Sequence, residues 1–537
     1  MPKTTRHAFV TLSALLALSC SNVWAAVGGE ALVQSYCAGC HIQEDGSLSR
    51  IQNQRKTPEG WEMTINRMRT MHKLTLQHES MTPGEVLGAM VKYLADTQGL
   101  APSETTGLRY VLERDGNVEE EFPQEFAEMC GRCHSSARVA LQRRTMEEWD
   151  RTIDFHLGQW PSSEYSLYGR DRPWLKIARE RIVPALANDY PLNTAAWADW
   201  QNTDKVPPIG DWVISGHVPG EGDFSAVMSV SARPDRPDQF IVELNGHYAD
   251  GSGMYGKGSA LLYTGHEWRA SLSVGETKFN QSFALSADGT TLEGRMYQRD
   301  QVLVGARVNA IKVGAEPNLL SVYPRALPLD GSTQVTLTGS HLTAGDVKVA
   351  DASVKVIDAT DSTRLVLEVT PSDGAGAGYR AITVAGGKLE RGLAFYDQVH
   401  EIIVEPSYGI ARIGANGGKT PKLETVFRAR GTSWGADAQP GTSDDLDLGY
   451  IDAVTWRTVP RDEGAERDND VAFAGTMDPA TGRYVPAAAG PNPQRTRSTN
   501  NAGNLNVVAR YEADGEVIEG TGRLLVTVQR WVNPPMN

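Results

Sequence analysis

The chain has 537 residues, 22% of them Asp, Glu, Lys or Arg, and a formal net charge of −14 at pH 7. That acidity argues against nucleic acid or an anionic membrane surface as the partner, and the length leaves room for roughly two to five domains. With only five Cys and eleven His in the chain, the positions of these residues carry most of the chemical information.

The chain opens MPKTTRHAFVTLSALLALSCSNVWAAVGG. Lys3 and Arg6 precede an apolar run from Ala8 to Leu18, and small residues follow with a cleavage point after Ala25. This is the pattern of a secretory signal peptide over residues 1–25, because the apolar core is too short to cross hydrocarbon. Cys20 in "ALSC" loosely resembles a lipoprotein acylation site, with Leu18 a poor match, so both the cleavage site and acylation stay open. No later stretch is long and apolar enough for a membrane span, and an exported chain is expected. The −14 includes +2 from Lys3 and Arg6, so the remainder carries −16.

Outside the signal, all the Cys fall in two pentapeptides, CAGCH at Cys37–His41 and CGRCH at Cys130–His134. C-x-x-C-H is the attachment pattern of c-type haem. Cys37, Cys40, Cys130 and Cys133 would form the thioethers, with His41 and His134 beneath the irons as proximal ligands. A redox thiol pair or half a zinc site could use one such match. Two matches in an exported chain with no spare Cys leave little room for either.

The surroundings repeat as well. QRKTPEGWEMTINRM at 54–68 aligns with QRRTMEEWDRTIDFH at 142–156, and VKYLADTQGL from Val91 resembles VPALANDYPL from Val183. Each copy reads as a haem helix, a loop, a second helix opening at Thr57 or Thr145, and a closing helix. Pro58 follows Thr57 at the first helical position, and Thr145 with Glu148 makes a capping box. The layout is that of two tandem cytochrome c units.

The alignment sets Met68 opposite His156, each seven residues after a Trp. A thioether ligand raises an iron's potential and an imidazole lowers it, so unlike distal ligands would give an electron a direction. His156 is the only His between His134 and His217 and is the candidate for the second haem; a surface His on an amphipathic helix is the plainer alternative. For the first haem Met63, Met68, Met71, His72, His78 and Met81 are all in reach; Met68 is favoured and His72 comes next. Met68 shares a helical face with Met71 and His72, so one residue can ligate while another packs.

Beyond Trp200 the pattern becomes short alternating strands separated by Gly, Pro and Asp turns. The fold class expected is multidomain α plus β. A helical dihaem cytochrome c domain over 26–200 leads three antiparallel β domains: barrel-like over 201–316, an immunoglobulin-like sandwich over 317–398, and a C-terminal immunoglobulin-like domain over 399–537. DGSGMYGKGS at 250–259 mimics a phosphate loop, but Gly258 replaces the magnesium-binding hydroxyl and strands flank it, so a hairpin is expected. The acidic stretches GTSDDLDLGY and RDEGAERDND lack calcium-loop spacing and read as solvated loops. No catalytic constellation stands out in the β half, whose five His are scattered. Scaffold and interaction surface are expected there.

With tandem CAGCH and CGRCH units, the Trp61 and Trp149 helices, and three following β domains, the second containing LLSVYPRALPLDGSTQVTLTGSHL, the chain resembles the α subunits of quinohemoprotein amine dehydrogenases over essentially its whole mature length. The resemblance implies a periplasmic heterotrimer with a β-propeller subunit and a small subunit bearing cysteine tryptophylquinone. There primary amines are oxidatively deaminated at the quinone, and electrons pass through two covalently bound haem c groups of this chain to a soluble acceptor such as a cupredoxin or cytochrome c. On that reading the chain has no catalytic residue of its own. Its four mature Cys are all claimed by haem, in keeping with a quinone on another chain. The residues also permit a dihaem peroxidase-like enzyme, or a haem redox sensor with β interaction domains. The preferred amine, the acceptor, and the haem potentials and their order stay open.

Overall fold

The computed structural model describes residues 28–42, 45–108, 122–131, 134–159, 172–234, 236–384, 387–416, 420–513 and 515–528. The signal segment with Cys20, and also Cys133, lie outside them. No helix among the described residues is long and apolar enough to cross a membrane.

The head is built from two helical modules. The first has α1 (Gly29–Cys37), β1 (Gln54–Lys56), α2 (Pro58–His72), α3 (Pro83–Thr97) and the short α4 (Pro102–Thr105). The second has α5 (Gln124–Cys130), α6 (Ala137–Ala140), β2 (Gln142–Arg144), α7 (Met146–Gln159), α8 (Trp174–Ile177) and α9 (Val183–Asp189), with α10 (Ala195–Asn202) closing the head. Local chemistry sets the helix starts. The Thr57 hydroxyl accepts the Gly60 N–H at 3.2 Å with Pro58 at the first helical position, and Thr82 and Glu85 form a reciprocal capping box at α3. At α7 only half of the expected box forms. Thr145 accepts the Glu148 N–H at 3.2 Å, but the Glu148 carboxylate turns to Arg50 and Arg151, and the Thr145 N–H donates to the Asn53 carbonyl instead. Two guanidinium partners outbid one backbone amide for a buried carboxylate.

The closing helices differ in a way Pro184 explains. Where α3 is an unbroken α-helix, the second module has a π-turn, Ala178–Ile182, between α8 and α9. Proline lacks an N–H and crowds the carbonyl four residues before it, and a widened turn absorbs both.

The two modules meet about a local two-fold axis. β1 and β2 pair antiparallel in the register Gln54↔Arg144, Arg55↔Arg143 and Lys56↔Gln142, so equivalent positions of the repeat lie symmetrically about the Arg55–Arg143 pair. Glu104 sits at this centre. It binds the Arg55 guanidinium at 2.8 and 3.0 Å and the Arg143 Nε at 3.0 Å, all three residues being buried or nearly so. Each module also repeats its wedge. Trp61 donates to the Gln98 carbonyl at 3.0 Å and Trp149 to the Tyr190 carbonyl at 3.3 Å, both indoles fully buried; each such ring contributes about 2–3 kcal/mol by burial.

The body begins with a closed eight-stranded meander, β3 (Gly210–Val218), β4 (Gly222–Arg233), β5 (Arg236–Tyr248), β6 (Gly253–Tyr263), β7 (Glu267–Val274), β8 (Thr277–Leu285), β9 (Thr291–Gln298) and β10 (Gly305–Lys312), with β10 returning to β3. Along β4 buried and less buried residues alternate, and the lumen is filled by Trp212, Met228, Trp268, Phe283 and their neighbours. The phosphate-loop mimic falls in the β5–β6 hairpin and in β6. A Cβ at Gly258 would come within 2.0 Å of the Ser271 carbonyl, so this glycine serves close strand approach.

The next unit is a two-sheet sandwich, Asn318–Tyr323, Thr333–Ser340, Arg364–Pro371 and Ala352–Asp361 facing Ala326–Pro328, Gly387–Tyr396, Gly378–Val384 and Lys348–Val349. The last is built on the sheet Tyr408–Arg412, Glu516–Thr527, Gly503–Ala513 and Val454–Pro460, packed by two three-stranded sheets. Two short parallel pairings supplement the antiparallel pattern, Ala326–Pro328 with Gly387–Tyr396 and Tyr408–Arg412 with Glu516–Thr527. In the sandwich the leading chain crosses from one sheet to the other and so runs alongside the last strand in the same direction. The head is tied to the barrel by Arg269, held between Glu59 of α2 and Glu267, and by Thr264, which bonds Asp96 and Ala95.

Candidate functional site

α1 ends at Cys37, and the Cys37 carbonyl accepts the N–H groups of both Cys40 and His41 at 3.1 and 3.0 Å. That turn carries the chain past the helix end and sets His41 beyond it. α5 likewise ends at the first Cys of its pentapeptide, Cys130, with the Gly131 N–H on the Ala127 carbonyl. Cys37, Cys40 and Cys130 are free of disulfides. Burial, reinforced by Cys40, pushes the Cys37 thiol up to about 11, and burial pushes Cys130 up to about 12.

Three His share one hydrogen-bonding arrangement. His41 donates from Nδ1 to the Ser49 carbonyl at 3.1 Å, His134 to the Ser135 carbonyl at 2.9 Å, and His156 to the Thr152 carbonyl at 2.7 Å. A carbonyl can only accept, so Nδ1 carries the proton in each and Nε2 is left with its lone pair. Backbone carbonyls commonly orient metal-bound imidazoles in this way. Burial keeps His41 and His156 below the usual His range, which favours the neutral form that a metal needs.

His134 and His156 face each other, their ring centroids 6.4 Å apart and planes 46° from parallel. Two imidazoles sharing one metal ion through nitrogens at about 2 Å have centroids roughly 6 Å apart. The second module thus has the spacing for a bis-imidazole metal, and its residues fit a haem.

In the first module the candidates separate by environment. Met63 is buried against Leu100, Ala137 and Leu141 and receives Arg138 Nη2 on its sulfur at 3.4 Å, so it is core. Met81 packs on the first module's hydrophobic core, and His78 Nδ1 accepts from the Ser80 N–H, the opposite tautomer to that of His41. Met68 and Met71 are half-buried on α2, and His72 is exposed at its end.

A group of cations lies where the modules meet. Arg67 of α2 stacks its guanidinium over Phe155 of α7 at 4.3 Å, and the Phe155 ring stands 5.6 Å from His156. Lys56 and Arg144 lie against Trp61 and Trp149 at 5.0 and 5.3 Å. Burial lowers Lys56 and pushes Arg144 down to about 9, Arg67 adding to both effects. The sequence reading did not single out this group; its signal was the basic residue repeated at Arg50 and Arg138, four before each conserved-register Gln.

A second feature was also missed. His217 of the barrel donates from Nδ1 to Asp223 at 2.5 Å and has Nε2 3.6 Å from Asp452 of the last domain, whose carboxyl is pushed up by burial. A cavity of about 580 Å³ opens beside it, lined by Tyr248, Tyr323 and Tyr450 among others. The scattered His of the β half therefore include one that ties two domains together. The acidic stretches lie elsewhere: Asp444 and Asp445 bond Thr442 and nearby amides in a surface loop, and Asp462 caps the helix Glu463–Arg467.

Four family models match in order along the chain. They are the haem-binding region of the quinohemoprotein amine dehydrogenase α subunit over 27–197, and its domains II, III and IV over 207–313, 316–397 and 402–536. No curated protein matches. Similar solved structures include a redesigned β-barrel, mFAP1 (17% identity, 19% of this chain and 93% of that one, TM-score 0.17). Others are mouse clustered protocadherin γC3 domains EC1–3 (10%, 47% and 77%, 0.16) and surface-layer protein SbsC domains 4–9 (12%, 59% and 48%, 0.17). At such TM-scores these likenesses carry no argument.

Proposed function

Because the chain belongs to the quinohemoprotein amine dehydrogenase α-subunit family, we propose that it is the dihaem electron-transfer subunit of a periplasmic amine dehydrogenase. It would carry electrons from a cysteine tryptophylquinone on a small partner subunit, reduced by deamination of a primary amine, to a soluble acceptor such as a cupredoxin or cytochrome c. A β-propeller subunit completes the proposed heterotrimer. When bound, haem c supplies a one-electron ferric/ferrous couple.

The residues of this chain hold and tune that couple. Cys37 and Cys40 anchor one group and Cys130 and Cys133 the other, with His41 and His134 as proximal ligands. His156 is the distal ligand in the second module. In the first it is Met68, with His72 the alternative one turn further along the same helix. The Ser49, Ser135 and Thr152 carbonyls keep Nε2 of each His unprotonated and aimed. The indoles of Trp61 and Trp149 and the helices around them exclude water, and the barrel and sandwiches offer surface for partner subunits.

The observation that carries this reading is the facing pair His134 and His156, each with Nδ1 on a backbone carbonyl, inside a domain matched as haem-binding. The test is visible absorbance of the natively purified complex, kept anaerobic, before and after a simple primary amine is added. Growth of the reduced c-haem bands is expected. No growth, with both haems still reducible by dithionite, would overturn the amine route and favour a peroxidase-like or sensing role.

A further inference from the structure

The junction of α2 and α7 concentrates positive charge. Lys56, Arg67, Arg138 and Arg144 act on one another electrostatically, and the carboxylate facing them among the described residues is Glu148. Glu148 is already held by Arg50 at 3.2 Å and Arg151 at 2.7 Å. Arg67 is the residue left over. Its Nε is buried and has no hydrogen-bond partner, its one contact of note being the apolar face of Phe155. Burial, with Arg138 and Arg50 adding repulsion, pushes its guanidinium down to about 10. An Arg side chain with a buried, unpartnered Nε is costly, and its planar fork is matched by a carboxylate in bidentate geometry.

We propose that Arg67 binds a propionate carboxylate of the haem held between His134 and His156, and that this ion pair raises that haem's potential above what two imidazoles alone would give. The assignment to the second haem follows from placement. Arg67 stacks on Phe155, the residue beside His156 on α7, so it reaches the second module's ligand through that ring. In the aligned repeat Phe155 is the counterpart of Arg67, so the second module has no equivalent cation to offer in return. A positive charge beside the porphyrin stabilises the added electron of the ferrous state. Arg67 is thus a positioning residue through which the first module sets the potential of the second. The inference rests on the dihaem reading above.

The test is a spectroelectrochemical titration of the native complex carrying Arg67→Met or Arg67→Lys, with covalent haem counted by the pyridine haemochrome. For Arg67→Met, the reduction equilibrium of the bis-imidazole haem is expected to shift about tenfold toward ferric, 59 mV for one electron. The other haem should be unmoved, two haems per chain retained, and most of the shift recovered in Arg67→Lys. Two haems with unchanged potentials in Arg67→Met would overturn the proposal while leaving the dihaem reading intact. Fewer than two covalent haems in the unmodified chain would overturn the dihaem reading itself. Should Arg67→Met fail to load haem, the unmodified protein still decides. A resonance Raman propionate bending band shifted by a charged hydrogen bond would support the ion pair, and the absence of any such shifted band would overturn it.

Discussion

The two head modules use one scaffold for unequal ends. Positions that build the scaffold are the same in both: the Trp wedge bonded to a closing-helix carbonyl, the basic residue against the indole, and the Gln side chain bonded to the carbonyl of the basic residue four before it. Other aligned positions differ: Met68 against His156, Arg67 against Phe155, Gly60 against Glu148. The last difference has a steric root. A Cβ at Gly60 would come within 2.9 Å of the Lys56 Cβ, so the first module cannot carry the same carboxylate without moving its strand. Duplication supplies the frame, and divergence about the axis makes the two modules chemically distinct.

The largest expected effect breaks that comparison at the ligands. His156→Ala should abolish the low-spin spectrum of the second haem alone, and Met68→Ala that of the first alone. A far-red methionine–iron charge-transfer band that disappears in Met68→Ala identifies the thioether; unchanged spectra in that variant move the assignment to His72.

Next comes the charge at the axis. Glu104→Gln leaves Arg55 and Arg143 buried without their shared counter-charge, a loss of about 3–5 kcal/mol readable as a lower midpoint in chemical denaturation. Burial opposes ionisation of Glu104, but the Arg55 hydrogen bond and the Arg143 and Arg55 charges outweigh it and hold the carboxyl below its ordinary value. Its contribution is therefore present above the unfolded Glu value of about 4.3 and is lost as pH falls through the lower folded one. The Gln variant should lose that part of the acid dependence. A variant as stable as the parent would show that the axis is held by the strand pairing instead.

The smallest effect sharpens the comparison. Thr57→Ala and Thr145→Ala each remove one hydroxyl that accepts an amide at 3.2 Å, so each should cost about 1 kcal/mol. A clearly larger loss at Thr145 would mean that Glu148, starting the same helix turn, depends on that cap to reach its arginines.

Much of the fold was legible because its signals are local. Thr57-Pro58 and the Trp periodicity mark α2, and alternation in TQVTLTGS marks a strand of the sandwich. The capping box at Thr145 was half legible: the hydroxyl does cap, but Glu148 answers to Arg50, which lies 98 residues away in the chain. The Met stripe was ambiguous in one dimension, and packing removes one member from it, since Met63 is enclosed by Leu100 and Ala137. The tie between His217, Asp223 and Asp452 could not be foreseen, because its third member comes from a different domain.

By itself the sequence determined the attachment pentapeptides, the doubled helical module and the strand-rich body, since each depends on residues within a few turns or one strand of one another. Only the tertiary structure decided which positions of the two copies meet: Arg55 beside Arg143 and Arg67 over Phe155. Those pairings arise across an axis between modules, where periodicity within either module says nothing and packing, burial and charge balance choose the partner.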